Sequence, residues 1–425
     1  MRVLLVGGGG REHALAWKIA QSPRLTRLLA APGNPGIARH AECVAIKDSS
    51  VEELVSLASR ERMDLVVVGP EVPLSLGLSD RLREAGLGVF GPSQAAARLE
   101  SSKAFSKGLM ARYGIPTARF ETFGDPGDAR RFCRELGAPL VVKADGLAAG
   151  KGAMICRTLE EADQAVRLCL EEAVFGAAGR TVVIEEFMEG EEASFFVVSD
   201  GAQVLPLQAA QDHKTIFDDD RGPMTGGMGA YSPVPALDET MARRVMQEIV
   251  TPVLAAMARE GTPYAGVLFV QIMITKEGPR VVEFNCRFGD PECQAILPLL
   301  DGDILPVFQA VAEGRGLPAS LRWRAESSVC VVLASHGYPG AARVGDEITG
   351  LDADGGLPGG VNVFHAGTAS PNGRLVTAGG RVLGVQALGA DIRSAVAAAY
   401  AGVARVRFDG MQFRRDIGQR AVNRS

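Results

Sequence analysis

The sequence predicts an α/β and α+β multidomain protein: an N-terminal doubly wound parallel sheet, a central α+β unit and a small β-rich C-terminal domain. Three observations carry this expectation. The apolar run 3–6 enters Gly7-Gly8-Gly9-Gly10, and Ala14, Leu15, Trp17 and Ile19 then recur at helical spacing, giving strand, turn and helix in that order. The runs 65–68 and 89–90 also end in turns, at Gly69-Pro70-Glu71 and Gly91-Pro92-Ser93, and alternate with helical stretches such as 51–60. Alternation of this kind implies parallel strands, in a sheet that binds ligands beyond its strand carboxyl ends, where these turns fall. After Leu321-Arg322-Trp323-Arg324 the texture changes to short β-like runs separated by Gly, Pro, Asn and Asp. At about 150 residues per domain, 425 residues also suggest about three domains.

In chain order, residues 1–103 form the N-terminal domain, expected to hold substrate phosphate. A helix over 104–112 leads through Tyr113-Gly114-Ile115-Pro116 into the central unit, 104–324, with strands expected at 140–143, 181–184, 194–199, 268–274 and 280–284. The C-terminal domain, 325–425, carries β-like segments at 329–335, 361–365 and 380–385 and an Ala-rich helix over 392–403.

With 45 basic and 50 acidic residues, the chain lacks the excess basic charge of a nucleic-acid binder, which leaves small acidic metabolites as ligands. It shows no signal-peptide core and no apolar run of membrane-spanning length, so a cytoplasmic protein is expected. Seven cysteines without a Cys-x-x-Cys read as reduced structural thiols, and five histidines without ligand spacing argue against zinc.

The most informative segment is Val281-Val282-Glu283-Phe284-Asn285-Cys286-Arg287-Phe288-Gly289-Asp290-Pro291-Glu292. Strand alternation sends Glu283 and Asn285 to one face and Val282 and Phe284 to the core. An oxygen pair of this kind suits magnesium, which keeps waters and phosphate oxygens as its other ligands, and Arg287 then stands ready to neutralise anionic oxygens. A solvated edge strand is the plainer reading of Glu-x-Asn alone. The following turn, which presents Arg287, Asp290 and Glu292 together, favours the site. Cys286 and Cys293 are expected to pack as small buried groups.

Gly7 to Gly10 fails the dinucleotide fingerprint in both frames, with Glu12 or His13 at the third glycine, and a phosphate on the helix N-terminus is favoured over a purely structural turn. The segment 141–152 is not a Walker loop: three residues separate Gly146 from Gly150, and Gly152 stands where a hydroxyl is needed. It is either a glycine loop closing over phosphates beside Lys143 or a hairpin turn. The acidic stretch 184–192 either offers backbone groups to an adenine edge and a carboxylate, Glu192, to ribose, or is an exposed loop. The charge run 218–221 is expected to be a solvated mobile loop.

These segments, together with Gly8-Gly9-Gly10-Arg11-Glu12-His13-Ala14, Pro32-Gly33-Asn34-Pro35-Gly36, Gln211-Asp212-His213-Lys214 and Thr225-Gly226-Gly227-Met228-Gly229-Ala230-Tyr231-Ser232-Pro233, resemble the ATP-grasp superfamily. Within it the chain is similar, over nearly its whole length, to the phosphoribosylamine-glycine ligase (glycinamide ribonucleotide synthetase) family. The resemblance implies a central ATP-grasp fold with a lid at about 120–190. It implies an enzyme that joins glycine to 5-phosphoribosylamine with ATP as co-substrate, through glycyl phosphate, in de novo purine biosynthesis.

By the same resemblance Glu283 and Asn285 bind Mg2+ or Mn2+. Lys103, Lys143, Gly146, Gly150, Lys151, Gly152, Glu185, Phe187 and Glu192 hold ATP. Arg287, Lys143, Asp212, His213 and Lys214 are the catalytic candidates, His213 as acid, base or positioning group. Gly9, Gly10, Asn34, Glu71, Asp212, Lys214, Arg287, Gly289 and Asp290 are candidates for the two small substrates. Many ATP-grasp enzymes carry a metal-binding carboxylate near Gln271, so this chain is expected to offer fewer ligands to a second ion. A monomer without nucleic-acid or membrane partners is implied. The rival readings are another ATP-grasp ligase of purine synthesis, such as a carboxylating relative that starts from bicarbonate, and a nucleotide-binding regulator without catalysis.

Overall fold

Alternate residues of the strand Arg2–Gly7 enter two different cores, which is why the strand is apolar on both faces. Leu4 and Val6 pack with Leu54, Leu57 and Ala58 of one helix, while Val3 and Leu5 pack with Ala14, Leu15 and Ile19 of another. Each such buried side chain contributes roughly 1.5–3 kcal/mol. The parallel sheet runs in the order Glu42–Cys43, Arg27–Pro32, Arg2–Gly7, Leu65–Val68, Gly88–Phe90, doubly wound as expected. Gly7 leaves the first strand at φ +123°, and a Cβ there would stand 2.5 Å from Glu12 Cγ, so this turn requires glycine. The computed structural model describes all residues except 148–151, 173, 354 and 425. Gly150 and Lys151, both expected at ATP, lie outside the described residues.

The helix Lys103–Tyr113 starts where Ser102 Oγ accepts from Phe105 N at 3.1 Å and stops at Gly114, φ +65°. The central unit then builds two four-stranded antiparallel sheets. One runs Phe120–Phe123, Val182–Glu186, Leu140–Ala144, Ala153–Cys156; the other runs Val204–Pro206, Glu191–Asp200, Ala265–Ile274, Pro279–Asn285. The third expected strand, 194–199, is longer at both ends, so Glu192 lies within a strand rather than in a loop.

The strand Pro279–Asn285 breaks its alternation at Val282, which strand periodicity alone sends to the core. Gln271 pairs with Glu283 but Ile272 pairs with Val281, which leaves Val282 as a bulge. Val281 and Phe284 are therefore the buried residues, and Val282 turns toward the cleft. Glu283 and Asn285 keep their common face, because the bulge precedes them.

The C-terminal segments 329–335, 361–365 and 380–385 appear as Ser327–Ala334, Asn362–His365 and Arg381–Gly389, and the helix spans Ile392–Val403. Their sheet also takes Gln211–Asp212 and Gly229–Ser232 from the middle of the chain, in the order Gln211–Asp212, Gly229–Ser232, Ser327–Ala334, Arg381–Gly389, Asn362–His365. That strand exchange sets Asp212 and Lys214 at a junction of sheets.

The run 218–221 is not a free solvated loop. Asp220 pairs with Arg414 at 3.0 Å and with Arg420, and Asp218 accepts from Arg415 N at 2.7 Å. Its partners come from the far end of the chain, beyond the reach of a local charge pattern. No helix among the described residues is long and apolar enough to cross a membrane. All seven cysteines are unpaired, and Cys286 and Cys293 are buried as expected.

Candidate active site

A cavity of about 440 Å³ opens between the two central sheets and the carboxyl ends of the N-terminal strands. Lys103, Lys143, Gly146, Gly152, Glu185, Phe187, Glu192, Glu71, Asp212, Lys214, Glu283, Asn285, Arg287 and Asp290 all line it. Gly9, Gly10, Asn34, His213 and Gly289 do not.

Glu283 and Asn285 stand one pleat apart on the strand Pro279–Asn285. Burial would raise the Glu283 carboxyl, but Lys214, Lys143, Lys103 and Arg287 outweigh it and hold Glu283 below its ordinary range, ionised. Asn285 is buried, yet its Nδ2 has no hydrogen-bond partner, so that group serves no internal bond. One ionised carboxylate and one amide on a shared face fit magnesium completed by phosphate oxygens and water. Gln271, opposite Glu283, donates to Glu192 Oε2 at 2.7 Å and adds no carboxylate. No group of three or more His, Cys, Asp and Glu suited to a metal exists among the described residues.

Cations surround this pair. Lys103 opens its helix and donates to Gly146 O at 3.0 Å, tying the start of the glycine loop to the body. Lys143 Nζ lies 2.9 and 3.0 Å from the two carboxylate oxygens of Glu185 and donates to Val282 O at 3.1 Å. Glu185 therefore meets lysines with its carboxylate, and Lys107, one helical turn after Lys103, shares it at 2.9 Å. Burial pushes Lys107 down to about 8 against the pull of Glu185.

Arg287 sits between two acids. Its Nε donates to Glu71 Oε2 at 3.2 Å and its Nη2 lies 2.8 Å from Glu100 Oε1. Burial alone would raise Glu71, but Arg287 and Arg11 hold it at about 2. Burial wins at Glu100, which rises to about 6 against the pull of Arg287. Glu100, Lys107 and Arg381 escaped the sequence reading. Lys107 left a signal, the four-residue spacing from Lys103; Glu100 and Arg381 reach the cavity only through tertiary packing.

The expected phosphate seat at the first helix is altered by the chain's own acids. Gly9 N donates to Glu12 Oε2 at 2.7 Å, and Arg11 N to Asp290 Oδ2 at 3.2 Å. Asp290 also accepts from Gln294 Nε2 at 2.8 Å and lies 3.4 Å from Arg381 Nη2. Asn34 Nδ2 donates to Gly8 O at 2.9 Å and His365 O at 2.8 Å, which ties the N-terminal turn to the C-terminal sheet. Gly289 packs against Glu292. The His213 ring is buried away from the cavity, where burial and then Arg414 and Arg420 lower it to about 3.

On the remaining wall Lys214 Nζ is 3.3 Å from Glu192, beside Asp212 and Glu292, and Ser194 Oγ donates to Glu292 Oε1 at 3.1 Å. Burial, with Glu292 and Glu192, pushes Asp212 up to about 7 despite Lys214. A folded pKa above the ordinary 3.8 means that protonated Asp212 favours the fold, and that this contribution fades as pH rises through about 7. Asp212→Asn should therefore melt a few degrees above the parent at pH 8, with a gap that narrows toward pH 4. Melting curves across that range check it, and a gap independent of pH would contradict it.

Two antiparallel sheets enclosing a lysine-rimmed cavity, with an oxygen-donor pair on one wall, define the ATP-grasp class. Family models agree: "Phosphoribosylglycinamide synthetase" N, ATP-grasp (A) and C domains match residues 1–100, 101–293 and 328–420. The chain is 53% identical over 425 residues to the phosphoribosylamine-glycine ligase of Rhizobium meliloti, covering 100% of this chain and 99% of that protein. It is 52% identical over 424 residues to that of Caulobacter vibrioides, covering 99% of each. The crystal structure of the Thermotoga maritima phosphoribosylamine-glycine ligase superposes with a TM-score of 0.86 at 34% identity, covering 98% of this chain and 100% of that one. The Campylobacter jejuni biotin carboxylase shares the fold, with a TM-score of 0.78 at 16% identity over 98% of this chain and 94% of that one. The chain belongs to the phosphoribosylamine-glycine ligase family and is a ligase of de novo purine biosynthesis.

Proposed function

We propose that the cavity ligates glycine to 5-phosphoribosylamine through glycyl phosphate, at the expense of ATP. The observation that carries this reading is the convergence of Glu283 and Asn285 with Lys103, Lys143, Lys214 and Arg287 in one cavity. Glu283 and Asn285 would hold magnesium, which would supply charge neutralisation at the triphosphate, and the same oxygen donors would suit manganese. Lys103 and Lys143 bind phosphate oxygens, Phe187 and the chain beside Glu185 receive the adenine, and Glu192 faces the ribose.

A glycine carboxylate oxygen attacks the γ-phosphorus and ADP leaves. The amine of phosphoribosylamine then attacks the acyl carbon, the carbon-oxygen bond breaks, and phosphate departs while the amine loses a proton. Both steps bring anions together, so they need positioning and fixed cations more than a nucleophile. Arg287 stabilises the transferring phosphoryl group. Asp212, raised into the range of a base, takes the amine proton, while Lys214, Glu71 and Asp290 orient the small substrates.

Glycine labelled with 18O in its carboxylate tests this route. One label should appear in each inorganic phosphate released. Unlabelled phosphate would exclude the acyl phosphate, and bicarbonate-dependent turnover would favour a carboxylating relative instead. The partners assigned are these small molecules, in the cytoplasm, with the protein acting as a monomer.

A further inference from the structure

The ATP side of the cavity holds three charged groups almost wholly out of water. Lys107, Lys143 and Glu185 have side chains 3%, 6% and 2% exposed. In this state Lys143 is not free to meet a phosphate, because its ammonium lies within 3.1 Å of both oxygens of Glu185 and of Val282 O. To reach an anion in the cavity it must loosen its hold on Glu185. A carboxylate this deeply buried cannot be left without a cation.

We infer that Lys107 is the positioning residue that keeps Glu185 neutralised when Lys143 turns to the nucleotide phosphates. Its ammonium is 2.9 Å from Glu185 Oε2 and donates to Thr117 Oγ1 at 2.7 Å. Thr117 Oγ1 in turn donates to Val281 O at 2.7 Å. Lys107 is therefore anchored to the strand that carries Glu283, and it shares Glu185 Oε2 with Lys143. Two cations on one carboxylate leave one net positive charge, which the bound nucleotide satisfies. With Lys107 uncharged, Glu185 has Lys143 alone and retains it. The inference rests on the reading of Lys143 as a phosphate-binding lysine of the proposed site.

The test measures MgATP binding directly by titration calorimetry, without glycine or amine, so its outcome is independent of the ligation chemistry. Lys107→Met and Lys107→Gln should each raise the dissociation constant at least about tenfold, while Lys107→Arg stays within about threefold of the parent. Gln retains a polar contact to Thr117 without charge, so agreement between Met and Gln assigns the effect to charge. Adding Glu185→Gln to Lys107→Met should restore affinity to within about threefold of Glu185→Gln alone, because no buried carboxylate then holds Lys143. Unchanged affinity in the Met and Gln variants, or losses in the double variant that simply add, would overturn the inference. Turnover that needs no glycine, measured separately on the parent, would count against the ligase reading and leave this binding pattern untouched.

Discussion

Replacing Glu283 with alanine should lower turnover by at least about 10^3-fold while leaving the fold intact. Glu283 makes no ion pair within 4 Å among the described contacts, and the cations around it leave it ionised for another partner. Its removal takes away the proposed metal ligand and one of the carboxylates whose charge Lys214, Lys143 and Lys103 offset. ATP saturation should be impaired along with turnover, and raising magnesium should not rescue it. Steady-state kinetics and a melting curve check both parts. Parental activity at saturating magnesium would refute the assignment of Glu283, and collapse of the fold would show that the carboxylate is structural.

Arg287→Met should damage both chemistry and stability. The arginine neutralises two acids at once, Glu71 and Glu100, and its side chain is 17% exposed. Breaking a buried ion pair by removing one partner costs about 3–5 kcal/mol, and an arginine fixed at a transferring phosphoryl group is worth about 10^3–10^5 in rate. Glu100→Gln added to Arg287→Met should recover part of the stability, because it removes one uncompensated charge, and none of the rate. Denaturant melts and turnover numbers for the single and double variants separate the two effects. Recovery of activity together with stability would mean that Arg287 serves the fold alone.

Much of the fold was legible in the sequence because its signals are local. The run 3–6 followed by glycines, the helix between Ser102 and Gly114, and the helix Ile392–Val403 each carry their own period and their own stops. The shared face of Glu283 and Asn285 followed from strand alternation, although the bulge at Val282 broke the same alternation one residue earlier. What local pattern could not give was pairing across the chain. Gln211–Asp212 joins a sheet whose other strands include residues after position 326, and that exchange turns Lys214 into the cavity and His213 out of it.

The same limit explains the site. Arg287 was legible as a cation beside Glu283 and Asn285, but its partners Glu71 and Glu100 lie about 200 residues earlier. Asn34 stood out in a glycine-rich turn as a substrate candidate, whereas its amide hydrogens bridge Gly8 and His365. Glycine-rich turns mark close backbone approach, and the sequence alone does not say whether the approaching group is a ligand or another strand.

The most direct test of the central claim is ADP release by the purified protein with MgATP, glycine and phosphoribosylamine generated in place, each omitted in turn. ADP should appear in step with glycinamide ribonucleotide, and only when all components are present. ADP release that needs neither glycine nor the amine would contradict that claim.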